Sequence, residues 1–166
     1  VMDRRGFFTS LLRSKREEGG SNAPLLLPYI VDSSLLPKLC PSCEAPCAKA
    51  CEEEIITIDK GIPRLSFKER GCTFCQACAL ACPKGVLDAS LPNKLNVEVS
   101  IDVMACLAWQ KTLCASCKEV CDEGAIIFLG LFRPEITPSC TACGRCVGVC
   151  PTQAISLTPL PLKEES

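Results

Sequence analysis

The chain has 166 residues, of which 16 are cysteine and none is histidine. The missing histidine rules out a Ser-His-Asp or Cys-His catalytic pair, Cys₂His₂ zinc, a Rieske centre and a His-ligated haem. The formal charge of −1 gives no basis for binding nucleic acid, and at 5% aromatic residues the chain has few large rings from which to build a core, so something else has to fill the interior.

The N-terminal stretch Met2-Asp3-Arg4-Arg5-Gly6-Phe7-Phe8 looks like the start of a twin-arginine export signal. Such a signal needs an apolar stretch of about 7–15 residues and a small-residue cleavage site. Here Arg13, Lys15, Arg16 and Glu17 interrupt the apolar stretch and no A-x-A site comes after it, so the expected location is cytoplasmic. A reducing cytosol favours metal over disulfides as the use of the thiols. Phe7, Phe8, Leu11 and Leu12 fall on one helical face. This segment is either a frayed terminus or a docking arm in which Arg4 and Arg5 meet an acidic partner. Gly19-Gly20-Ser21-Asn22 reads as a linker, and residues 25–31 as an extended apolar segment packed on the first cysteine-rich half of the chain. No apolar run approaches the ~20 residues of a membrane helix.

The cysteines fall into four groups of four. Cys40, Cys43, Cys47 and Cys51 are spaced C-x₂-C-x₃-C-x₃-C; Cys72, Cys75, Cys78 and Cys82 are spaced C-x₂-C-x₂-C-x₃-C before Pro83. Cys106, Cys114, Cys117 and Cys121 are spaced C-x₇-C-x₂-C-x₃-C; Cys140, Cys143, Cys146 and Cys150 repeat the second pattern before Pro151. Cys72 to Cys140 and Cys82 to Cys150 are both steps of 68 residues, so the chain is a tandem repeat with two groups per copy. The expected division is 1–34, an N-terminal arm and linker; 35–94, a first dicluster ferredoxin-like repeat; and 95–166, a second.

The C-x₂-C-x₂-C-x₃-C-P run resembles the bacterial ferredoxin signature. A four-iron cubane needs one thiolate per iron; a curling loop supplies three, and in two-cluster ferredoxins the fourth cysteine serves the other cluster. That cysteine is expected at the start of a short helix, with the proline in its first turn. Structural zinc prefers two separated C-x₂-C knuckles, and a disulfide framework explains neither the repeat nor the prolines. The expectation is four [4Fe–4S] clusters. The first takes Cys40, Cys43, Cys47 and Cys82; the second Cys72, Cys75, Cys78 and Cys51. The third takes Cys106, Cys114, Cys117 and Cys150; the fourth Cys140, Cys143, Cys146 and Cys121. The repeat favours this tandem pairing; the alternative is a nested one, first group with fourth and second with third.

Between the groups, residues 55–58, 63–65, 97–101 and 125–128 read as strands, Asp59-Lys60-Gly61 as a hairpin turn, and 76–81 and 144–149 as helices. The fold class is therefore α+β: small two-stranded sheets and short helices wrapped around iron–sulfur clusters. The seven-residue gap holding Trp109 is either a loop that shields its cluster or an exposed anchor for a partner.

Taken together, Asp3-Arg4-Arg5-Gly6-Phe7-Phe8, the four cysteine groups, Ala105-Cys106-Leu107-Ala108-Trp109-Gln110, and Ala125-Ile126-Ile127-Phe128 with Phe132-Arg133-Pro134 after it resemble the NapF family of ferredoxin-type proteins of the periplasmic nitrate reductase system. The family usually has x₂ where the first group here has x₃. The resemblance implies a soluble cytoplasmic accessory protein with no catalytic site of its own. Its implied partner is the molybdenum catalytic subunit of periplasmic nitrate reductase before export, served by electron transfer or cluster assembly. The alternatives are an electron-transfer subunit of a larger oxidoreductase and a redox sensor, the latter lacking an output module. Each oxidised cluster with its thiolates carries about −2, so a loaded chain stands near −9 rather than −1 and suits a basic partner surface.

Overall fold

The computed structural model describes residues 24–161. Arg4, Arg5, the apolar face at residues 7–12 and the linker at 19–22 lie outside the described residues. After a 3₁₀ turn at Ser33–Leu35 come α1 (Leu36–Leu39), α2 (Pro46–Lys49), β1 (Ile56–Asp59), β2 (Ile62–Leu65) and α3 (Ala77–Leu80). The second half contains β3 (Val97–Ile101), α4 (Ser116–Glu119), β4 (Ile126–Phe128), β5 (Pro134–Ile136), α5 (Arg145–Val149) and β6 (Ile155–Pro159). The α+β expectation holds, and its four strands are all present.

Three antiparallel pairs make up the sheets: β1 with β2, β4 with β5, and β3 with β6. The β1–β2 hairpin pairs Asp59 with Ile62, so Lys60 and Gly61 form its turn. Their φ values of 51° and 79° are those of a type I′ turn, which matches the twist of the flanking strands. Gly61 is also required sterically, since a Cβ there would lie 2.8 Å from Pro41 Cα. In the second half β3 and β6 close the unit through five paired positions, from Val97↔Pro159 to Ile101↔Ile155. Among the described residues the first half keeps only one bridge of this kind, Ile30↔Leu87, flanked by Val31 N–H to Val86 C=O and Asp88 N–H to Tyr29 C=O. Residues 25–31 do pack as an extended segment on the first half.

The expected helix start at the fourth cysteine is overturned. Cys150 comes directly after the last residue of α5, and Cys82 lies just beyond α3. The residue before a proline is disfavoured in α conformation, and Cys150 is extended at φ −73°, ψ 112°. The prolines therefore stop helices here and do not open them.

None of these elements is self-supporting. The helices have four or five residues, far below the ~12–15 at which an isolated helix becomes even marginal in water. A lone two-stranded pair is marginal at best. The main buried cluster joins Leu27, Tyr29, Ile55, Leu65 and Phe67 of the first half to Leu95, Val97 and Ala142, with Cys47 and Cys78 among its members. Leu95 and Val86 are the largest fully buried side chains, and no charged or polar residue is buried among the described residues. Leu95→Ala is expected to cost about 2–5 kcal/mol, read as a lower thermal midpoint of the metal-loaded protein under anaerobic conditions.

Candidate metal centres

The thiols surround four separate cavities. Cys40, Cys43, Cys47 and Cys82 line one, with Leu27, Leu36 and Val86 as apolar walls. Cys51 lies with Cys72, Cys75 and Cys78 around a second, beside Pro28, Tyr29 and Ile55. Cys106, Cys114, Cys117 and Cys150 line the third. The fourth holds Cys121, Cys140, Cys143 and Cys146, and Cys72 reaches its wall. In each half the fourth cysteine of one group has crossed to the other, and every one of the 16 is a free thiol.

The loops achieve this through left-handed residues. Phe74 (φ 53°) and Gln76 (φ 64°) flank Cys75, and 68 residues later Ala142 (φ 60°) and Gly144 (φ 82°) flank Cys143. Two such residues curl the chain so that cysteines at i, i+3 and i+6 face one point. A second rule governs the segment after each crossing cysteine. Glu54 (φ 55°), Gly85 (φ 63°), Gly124 (φ 58°) and Gln153 (φ 54°) stand three residues after Cys51, Cys82, Cys121 and Cys150. The left-handed turn then aims the next N–H back at the sulfur: Ala125 N–H to Cys121 Sγ at 3.3 Å and Ala154 N–H to Cys150 Sγ at 3.2 Å. Phe74 N–H approaches Cys72 Sγ and Ala142 N–H approaches Cys140 Sγ, each at 3.4 Å. These donors stabilise negative charge on sulfur.

The surroundings otherwise oppose that charge. Burial pushes the Cys78 thiol up to about 12, with Cys72 next in effect. Burial raises Cys146 to about 12, with Cys143 and Cys140 adding to it. Cys72 rises to about 11 by burial, against the pull of the Phe74 N–H. Cys40, Cys47, Cys117 and Cys143 are also raised, each mainly by burial. Four thiolates in a dry pocket need positive charge between them, and a metal group supplies it.

The donor sets suit a polynuclear group over a single ion. Sulfurs around one zinc at about 2.3 Å stand about 3.8 Å apart, and among the described residues no three Cys, His, Asp or Glu side chains are gathered so as to hold one ion. A set of four thiols, no carboxylate substitute, inward N–H groups and apolar walls fit a [4Fe–4S] cubane, whose chemistry when bound is one-electron exchange.

Tyr29 is buried against the second cavity in a left-handed conformation (φ 69°). Its hydroxyl donates to the Phe74 carbonyl at 3.1 Å and faces Asn93 Oδ1 at 2.8 Å. It thereby clamps the loop that carries Cys72 and Cys75. The seven-residue gap is a folded turn, held by Gln110 N–H to Cys106 C=O and Thr112 N–H to Leu107 C=O. Trp109 in it is half-buried; its indole N–H donates to Pro134 C=O at 3.3 Å and the Arg133 guanidinium lies over its ring. The left-handed positions and the Tyr29 clamp went unforeseen. Glycine at 85, 124 and 144 was the available signal, but Gln76, Glu54 and Gln153 carry none.

Thiol loops of this kind define an iron–sulfur protein of the ferredoxin type. Residues 39–86 match the 4Fe-4S dicluster domain and residues 136–156 the 4Fe-4S binding domain. Cys106, Cys114, Cys117 and Cys121 fall outside both matches. The chain is 33% identical to ferredoxin-type protein NapF of Escherichia coli (strain K12), over 92% of each chain. It is 29% identical to the NapF of Haemophilus influenzae over 96% of this chain and 93% of the relative. Ferredoxin-type protein NapG of Escherichia coli (strain K12) is 25% identical over 86% of this chain and 72% of its own. The chain belongs to the NapF family.

The site generates two expected outcomes. Complete removal of iron and sulfide is expected to leave a largely unfolded chain; a native far-UV circular dichroism spectrum after full removal contradicts this. Glu54→Gly relieves a left-handed non-glycine residue and is expected to stabilise the loaded protein by about 1 kcal/mol, whereas the β-branched Glu54→Val destabilises it. Thermal midpoints of the two variants check the opposite signs.

Proposed function

We propose that this protein is a cytoplasmic polyferredoxin holding four [4Fe–4S] clusters, which acts as an accessory factor for the molybdenum catalytic subunit of periplasmic nitrate reductase before its export. The single observation that carries the reading is the sorting of 16 thiols into four cavities, four to each with Cys72 shared between the second and the fourth. The coincidence of those four sets with the tandem sets expected from the sequence supports the pairing. Likeness to NapF proteins over more than nine-tenths of the chain supports the partner. Among the described residues no helix is long and apolar enough to cross a membrane.

The chain's own residues do four things in this role. They deliver one thiolate per iron, hold each set in a fixed cage, donate N–H groups to sulfur and exclude water. Sulfur hydrogen bonds and burial set the reduction potential. In this reading the useful output is an electron or a cluster passed to the partner.

Anaerobically purified protein is expected to carry about 16 iron per chain, and Cys82→Ser or Cys150→Ser about four fewer. Affinity capture from cells is expected to retain the cytoplasmic catalytic-subunit precursor, and its absence counts against the maturation role. Stable co-purification with a mature flavin or molybdenum enzyme would assign the protein instead as an electron-transfer subunit.

A further inference from the structure

The sequence repeat makes two equal halves, but it does not say which thiol sets meet across them. The structure brings residues 67–72 of the first half onto residues 143–148 of the second. Cys72 N–H donates to Cys143 C=O at 2.7 Å, a direct link between a member of the second set and a member of the fourth. Cys72 also lines the fourth cavity. Three glycines make this approach possible. A Cβ on Gly71 would stand 2.6 Å from Arg145 N and 2.7 Å from Cys143 O; one on Gly148 would stand 2.7 Å from Lys68 O; one on Gly144 would enter the Phe67 ring. Gly71 and Gly148 have ordinary backbone angles, so turn geometry does not demand glycine at either, whereas close approach does.

Within each half the sets are joined differently. Helix α2, bearing Cys47, packs on α3, bearing Cys78, and both thiols belong to one core. Helix α4, bearing Cys117, packs on α5, bearing Cys146.

We propose that the glycine seam between residues 67–72 and 143–148 is a positioning device that makes the second and fourth thiol sets neighbours, setting the four sets in single file as first, second, fourth, third. The inference rests on the four-cluster reading above. It places the two regular C-x₂-C-x₂-C-x₃-C-P loops in the middle of the file. The two irregular loops, with x₃ in the first group and x₇ in the third, stand at its ends. The two irregular spacings thus fall at the two termini of the file, while the exposed Cys75 leaves the second set open from the side.

The test uses the full chain, purified anaerobically and fully reduced with dithionite, and reads the magnetic interaction between neighbouring reduced clusters by EPR. Gly71→Val inserts side-chain atoms into the seam, and Gly148→Ala does so more mildly at its far end. The pairs within each half keep their neighbours, so both variants are expected to keep iron at the wild-type level and a broadened signal, while the additional splitting from the second–fourth contact is lost and the spectrum simplifies to that of two independent pairs, most completely in Gly71→Val. Gly130→Asn, at a left-handed loop position (φ 73°) that asparagine tolerates and with open space around it, leaves the spectrum as in wild type. An unchanged spectrum in both seam variants with full iron overturns the single file. If Gly71→Val fails to hold iron, Gly148→Ala decides alone. Fewer than about 16 iron in the wild-type protein would overturn the four-cluster reading, a failure separate from that of the seam.

Discussion

Everything in this molecule answers to the requirement that four thiols face one another across a small dry space. Burial opposes thiolate charge in each cavity, and the chain cannot remove that cost with its own side chains, having no buried cation among the described residues. What it contributes is geometry: left-handed residues at fixed distances from each cysteine, and N–H groups that return to sulfur. Left-handed non-glycine residues cost roughly 1–2 kcal/mol each. A protein with four-residue helices and two-stranded sheets tolerates several of them only if the groups they organise give back more.

The same requirement explains the thin core. Ordinary domains of this length bury rings and branched aliphatics around one centre. Here the buried residues form a partition between cavities, with cysteine as part of the wall. Leu27 faces the first cavity, Tyr29 the second, and both join the cluster that reaches Leu95 and Ala142. Apolar side chains thus do two jobs, holding the halves together and keeping water from the thiols.

Much of this plan was legible in the cysteine spacing. The four groups, the 68-residue period and the crossing of the fourth cysteine were readable there, and the four cavity linings agree with them. The hairpin at Asp59-Lys60-Gly61 was readable because a glycine between two β-rich runs supplies a left-handed position of the tight turn joining them. Strands β5 and β6 were not foreseen. Residues 134–136 begin with proline and are too short to show a period, although Ile155 and Leu157 do alternate and gave a usable signal. The fourth cysteine stands at or just past a helix end, where the spacing predicts a helix start, because the following proline restricts the residue before it. The seam was illegible for a different reason: close approach between distant backbones leaves only a glycine in each sequence, and glycine has many causes.

The crossing of the fourth cysteine has a consequence for the chain as a polymer. Between Cys47 and Cys82 lie the ends of a loop 35 residues in span, and the 21-residue span from Cys51 to Cys72 sits wholly inside it. Cys117 to Cys150 encloses Cys121 to Cys140 in the same manner. Tying the inner span first shortens the outer one to its two flanks and lowers the entropy of closing it by about 0.8 kcal/mol. Tying the outer span first helps the inner one by the same amount, so the orders differ at the first step, where the 21-residue span closes for about 0.5 kcal/mol less than the 35-residue one. Each half therefore has a preferred order of closure written into its connectivity, inner loop before outer, and the reverse order on the way apart.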